Sequence, residues 1–220
     1  MIRLLIADDH AIVRHGLRQV VAGTEGMQVV AEAGGGLEVL AQLRADPQGF
    51  DVVLLDISMP DKNGLEILKR VGQEFPKVAV IMLTMHAEDE FGVRALKAGA
   101  AGYVSKQTAA TELVAAIRQV ASGRKYVSPL LAQELANHVS SDEAGPLHHA
   151  LSSREYQTLC LMASGMTLSE AAAKMSLSPK TVSVYRARVL EKLKLKNNAE
   201  MMHYALRNRL VNLSGPSGEL

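Results

Sequence analysis

Five polar residues stand at the same kind of place in this chain. Asp8 and Asp9 follow the apolar run 2–7, Asp56 closes the run Val52-Val53-Leu54-Leu55, Thr84 closes 78–83, and Lys106 follows 102–105. Three carboxylates brought together repel one another unless a cation joins them, and hard oxygen donors with room left for water suit Mg²⁺. A hydroxyl from Thr84 and an ammonium from Lys106 can meet the oxygens of a phosphoryl group on Asp56. The chemistry these types suggest is phosphorylation of Asp56, with the other residues supporting or sensing it. Taken singly, each has a plainer explanation as a turn former or a solvated charge; five at matching positions do not.

The elements that must position them follow from the apolar pattern. Four aliphatic residues in a row at 52–55 read as a strand buried on both faces, as in a parallel sheet covered by helices. Strands are expected at 2–7, 27–33, 52–56, 78–84 and 102–105, with helices at 10–22, 37–43, 65–71, 88–97 and 109–121. Five strand–helix units make a doubly wound α/β domain, whose ligand crevice lies beyond the carboxyl ends of the strands. Gly34-Gly35-Gly36 reads as a flexible loop, since no phosphate-binding glycine pattern follows the first strand. Asn63-Gly64 reads as a turn, and Thr108 as the cap of the fifth helix, with Glu112 near its positive end.

These residues resemble the receiver domain of two-component response regulators through Asp8-Asp9, Asp56-Ile57-Ser58-Met59-Pro60, Asn63-Gly64, Thr84 and Gly102-Tyr103-Val104-Ser105-Lys106. The resemblance covers residues 1–122 and implies a five-stranded parallel sheet of order 2-1-3-4-5. It implies that Asp9, Asp56 and the Ser58 backbone carbonyl bind Mg²⁺ directly while Asp8 helps through water. It also implies that Thr84 moves toward the phosphoryl group, that Tyr103 repacks as the signal leaves, and that Ser58 and His86 tune dephosphorylation. One departure is Gln107, where many receivers carry a proline in a cis bond.

Beyond a linker at 123–147, which holds a short helix opened by Ser128-Pro129 and a polar hinge at 140–145, the chain changes character. Residues 1–147 hold 14 Lys and Arg against 18 Asp and Glu, whereas residues 148–220 hold 10 against 5. A basic second part points to nucleic acid. Ser152 with Glu155 three residues on forms a capping box, and Pro179 opens a basic helix after a tight turn at 176–178. An all-α helix-turn-helix domain over 148–213, its second helix suited to the DNA major groove, is the expected shape. His148-His149 reads as a solvated loop.

This stretch resembles the DNA-binding domain of the NarL/FixJ (LuxR-type) regulators through Leu151-Ser152-Ser153-Arg154-Glu155, Ala163-Ser164-Gly165, Ser178-Pro179-Lys180-Thr181-Val182 and Lys192-Leu193. The likeness implies that Ser183, Val184 and Ala187 face base edges, that Lys180, Thr181, Arg188 and Lys192 hold phosphates, and that a last helix near 199–207 serves dimerisation. Tyr185 stands where a histidine is usual, and Ala171-Ala172-Ala173 replaces a triplet that usually contains isoleucine.

The expected function is a phosphorylation-switched transcription regulator, served by a sensor histidine kinase and binding double-stranded DNA as a homodimer. One rival is a regulator that binds DNA independently of phosphorylation. Another is a hydrolase with an aspartate nucleophile, which wants a second acid two residues on, where Ser58 stands. The single Cys160 lies in an apolar run suited to core packing, and nothing resembles a secretory signal or membrane span, so a cytoplasmic protein is expected.

Overall fold

The computed structural model describes residues 1–57, 59, 64–84, 90–106, 108–140, 146–208 and 210–211. The chain divides into two compact units, 1–140 and 141–220.

The first unit alternates strand and helix: β1 (Ile2–Ala7), α1 (Ala11–Ala22), β2 (Met27–Ala33), α2 (Gly36–Ala45), β3 (Val52–Asp56), α3 (Gly64–Glu74), β4 (Ala79–Thr84), α4 (Glu90–Lys97), β5 (Gly102–Ser105) and α5 (Ala109–Ala121). The strands form one parallel sheet in the order β2-β1-β3-β4-β5. β3 is central and buried along its whole length, which is why its sequence is a continuous apolar run rather than an alternation. On one face, Leu4, Ile6, Val52, Leu54, Ile81 and Leu83 pack with Leu17 and Val21 of α1 and Leu113 and Ile117 of α5.

Two expectations fail in physically clear ways. Gly36 belongs to α2 rather than to a flexible loop, and a Cβ there would lie 2.5 Å from Ile67 Cγ1. The glycine lets α2 and α3 approach. Thr108 precedes α5, but its side chain accepts no capping bond; its hydroxyl donates to the Ser105 carbonyl at 3.3 Å.

The linker does not run free. The Tyr126 N–H donates to the Ala101 carbonyl at 2.8 Å, so the chain pairs briefly with β5 at Gly102. The Tyr126 hydroxyl donates to Glu112 Oε2 at 3.2 Å. The next helix, α6 (Pro129–Ser140), starts where the Ser128 hydroxyl accepts the Leu131 N–H at 3.1 Å. Leu131 is fully buried against Gly92 of α4, where a Cβ would meet its terminal carbons at 2.7 and 2.9 Å.

The second unit is helical: a 3₁₀ turn (Leu147–Ala150), α7 (Ser153–Ala163), α8 (Leu168–Lys174), α9 (Pro179–Leu193) and α10 (Asn198–Arg207). Each α-helix starts on a side chain that satisfies an otherwise orphaned N–H. The capping box expected at Ser152 and Glu155 forms, a second one forms at Thr167 and Glu170, and Ser178 and Asn197 cap α9 and α10. Cys160 is buried in α7.

Candidate functional site

The carboxyl ends of β1, β3 and β5 bring four of the predicted residues into contact. Ligand atoms of Asp8, Asp9, His10 and Asp56 all lie within 4.8 Å of one another. Lys106 Nζ pairs with Asp8 Oδ2 and, at 3.1 Å, with Asp56 Oδ1. Asp8, Asp56 and Lys106 are nearly enclosed, with side chains 0, 3 and 7% exposed, while Asp9 opens to solvent at 27%. A buried acid pair with one half-exposed acid beside it is an oxygen donor set compatible with Mg²⁺.

Burial alone would lower the Lys106 pKa, but the negative charges of Asp56 and Asp8 outweigh it and hold the ammonium above its ordinary value. Lys106 is therefore a fixed positive charge, not a proton carrier.

Thr84 ends β4, buried, with Ser105 opposite it in the sheet; its carbonyl accepts the Lys106 N–H at 2.7 Å. Tyr103 lies fully buried in β5. Gly64, which opens α3, lies against the end of β3. The Gly64 N–H donates to the Ile57 carbonyl at 2.9 Å, and a Cβ on Gly64 would overlap the Asp56 carbonyl oxygen. Glycine is thus required there by close approach. Ser58, Asn63, His86 and Gln107, with the Lys106–Gln107 bond, lie outside the described residues.

The predicted DNA-contacting residues occupy α9. Lys180, Ser183, Val184, Ala187, Arg188 and Lys192 are exposed and Thr181 is partly so, while Val182, Val189 and Leu193 form the buried side. Val184 is 47% exposed, a large apolar side chain on a face otherwise made of polar and small residues. Lys192 makes two contacts that the sequence did not disclose. Its Nζ donates to Glu155 Oε2 at 2.7 Å and to the Ala150 carbonyl at 3.3 Å.

Residues 4–118 match the response regulator receiver domain, and residues 149–205 match the bacterial regulatory proteins of the luxR family. The chain is a response regulator of the NarL/FixJ (LuxR-type) family. It is 38% identical to response regulator UvrY of Escherichia coli (strain K12), over 96% of this chain and 97% of that one. It is likewise 38% identical to response regulator GacA of Pseudomonas aeruginosa, over 96% of this chain and 99% of the other. Among solved structures it resembles RcsB from Salmonella enterica serovar Typhimurium bound to promoter P1flhDC in the presence of phosphomimetic BeF3⁻. There the TM-score is 0.64 at 29% identity, covering 92% of this chain and 97% of that chain. As a member of this family the response regulator is a phosphorylation-dependent transcription regulator.

Three further features of this response regulator escaped the sequence. His10, expected as the first residue of α1, precedes a helix that starts at Ala11, and its ring leans on the acids, Nδ1 lying 2.8 Å from Asp9 Oδ1 and 3.2 Å from Asp8 Oδ1. Arg14 Nη1 donates to the Asp8 carbonyl at 2.6 Å. The adjacency of His10 to Asp9 was a usable signal; nothing local marks Arg14. His148, expected in a solvated loop, is buried, its Nδ1 2.9 Å from the Tyr204 hydroxyl.

Proposed function

We propose that Asp56 is the phosphoacceptor of this response regulator and that its phosphorylation controls dimerisation and DNA binding by the second unit. The convergence of Asp8, Asp9, Asp56 and Lys106 at three strand ends carries this reading. A sensor histidine kinase or a small phosphodonor supplies the phosphoryl group to an Asp56 carboxylate oxygen. Asp9, Asp56 and the Ser58 carbonyl would hold Mg²⁺, with Asp8 helping through water, and the ion would supply positive charge to offset the carboxylates and the incoming phosphoryl oxygens. Lys106 places its ammonium against the same oxygens, and Thr84 offers them its hydroxyl. The modification adds about −1.5 to −2 charge, and Tyr103 on β5 passes the change to the receiver surface.

In this reading the receiver spans 1–122, the linker 123–147 and the DNA-binding domain 148–213. Ser183, Val184 and Ala187 meet base edges while Lys180, Thr181, Arg188 and Lys192 hold phosphates. The resemblance to an RcsB structure described as bound to promoter DNA supports this. A homodimer working in the cytoplasm suits a regulator of this kind. Among the described residues no helix is long and apolar enough to cross a membrane.

Radiolabelling from a small phosphodonor with Mg²⁺ tests the site. Wild-type protein is expected to take label that chelation of Mg²⁺ prevents and that Asp56→Asn abolishes. Label retained in Asp56→Asn would remove Asp56 from its role. If unphosphorylated Asp56→Asn bound DNA as tightly as the phosphorylated protein, the switch would fall and the DNA-binding reading would stand.

A further inference from the structure

The loop that carries Asp8 and Asp9 is braced from outside the crevice. β1 and β2 pair Leu4 with Val29 but Leu5 with Ala31, so Val30 is an extra residue in β2. Such an insertion re-aims every side chain after it, because strand side chains alternate faces. Met27 and Val29 lie on the face covered by α1. In an uninterrupted strand Glu32 would point to the opposite face. The extra residue brings it opposite Ile6, which lies in that same α1-side core.

There Glu32 meets two cations of α1. Its Oε2 accepts from Arg14 Nε at 3.2 Å, and its Oε1 lies 3.2 Å from Arg18 Nη1. The Glu32 carbonyl is held from the other side by Gln42 Nε2 at 2.8 Å. Arg14 then reaches past Glu32 to the Asp8 carbonyl at 2.6 Å. One guanidinium spans both partners because its donors are fixed in a planar fork.

An ordinary surface ion pair contributes little, and this one stands apart in two respects. The Arg14 and Glu32 side chains are only 21 and 30% exposed. Arg14 also holds the backbone of the very residue whose side chain enters the crevice. Outer partners of this kind fix the orientation of metal ligands.

We infer that Arg14 and Glu32 are positioning residues for the acidic pair, delivered to it by the extra residue in β2. The inference rests on the reading of the crevice as a Mg²⁺ and phosphoryl site. Without the brace, Asp8 and Asp9 sample more orientations, and ion binding must restrict them first.

Calorimetric titration of the full chain with Mg²⁺ tests this without requiring turnover. Arg14→Ala is expected to raise the dissociation constant about tenfold, the lower end of the usual effect of losing an outer partner. Glu32→Gln is expected to raise it severalfold. Arg14→Lys falls between Arg14→Ala and wild type, since one ammonium reaches the Asp8 carbonyl or Glu32 but does not fork between them. Asp51→Asn is the control for general loss of stability. It breaks the Arg3–Asp51 pair at the other end of β1, 3.0 Å in this structure, and is expected to leave Mg²⁺ affinity within twofold of wild type.

Equal affinity in Arg14→Ala, Glu32→Gln and wild type would overturn the inference, as would a loss in Asp51→Asn matching that in Arg14→Ala. Should Arg14→Ala fail to fold, Glu32→Gln alone decides. Asp9→Asn separates the two readings: if it leaves Mg²⁺ binding intact, the crevice is not the ion site. If Asp9→Asn weakens binding while the brace variants do not, only the brace is lost.

Discussion

At the scale of single residues, the ion pairs of Lys106 and Lys192 do different work. The Lys106 pKa is raised, so the stability it adds is fully present below the unfolded-state value near 10.5 and is lost only as pH rises through the higher folded-state value. Between pH 6 and 9 its contribution is therefore expected to be flat, checked by denaturant unfolding of wild type and Lys106→Met across that range. Glu155 is the opposite case. Burial alone would raise its pKa, but Lys192 and the Ser152 N–H and hydroxyl outweigh this and hold it below its ordinary 4.5. Its stability is present above 4.5 and lost as pH falls through the lower folded-state value. Glu155→Gln is expected to flatten the acid limb of second-unit unfolding followed by NMR. Lys192→Met leaves the buried Glu155 carboxylate without its cation, though still bonded to Ser152, and is expected to destabilise the second unit by about 1–2 kcal/mol, discounted because the ammonium is 40% exposed. The sequence showed Lys192 as one more cation on a basic helix. Its partner lies 37 residues away on α7, and only the packing of the helices brings the two together.

At the scale of elements, strands were legible because apolar runs of this kind have few alternatives. β2 and β5 match their expected bounds, and α5 does too. What stayed hidden were contacts between elements. Gly36 and Gly64 carry no pattern that distinguishes close packing from flexibility, and the extra residue in β2 leaves the sequence no less strand-like. The same holds for α6, expected in the linker and found against α4. Leu131→Ala is expected to cost about 2–5 kcal/mol as a buried truncation. Gly92→Ala is expected to cost about 1–3 kcal/mol through overpacking. The two are expected to be strongly non-additive in a double-mutant cycle read by urea denaturation, because the smaller residue at 131 makes room for the methyl group at 92.

At the scale of the molecule, the charge asymmetry noted in the sequence predicts how DNA binding depends on salt. Each phosphate contact gives a slope of about −0.9 in log affinity against log salt. Arg188→Ala is therefore expected to reduce the slope of the dimer by about 2 in filter-binding titrations, one contact from each subunit. Switching from mostly off to mostly on requires phosphorylation to favour the active state by roughly 5.5 kcal/mol, which bounds the coupling between units. Two units were legible from the change in composition. Where the linker belongs was not, since Tyr126 and Leu131 look like ordinary linker residues until β5 and α4 are in place.

The short pairing of Tyr126 with Gly102 bears on how the protein is handled outside its native setting. β5 is the last strand of the sheet on that side, and an uncovered last strand is a template on which another chain can add. A fragment cut at residue 122 would lay that template bare and is expected to aggregate. A fragment ending at 140 keeps its own cover, and light scattering of the two at equal concentration reads the difference.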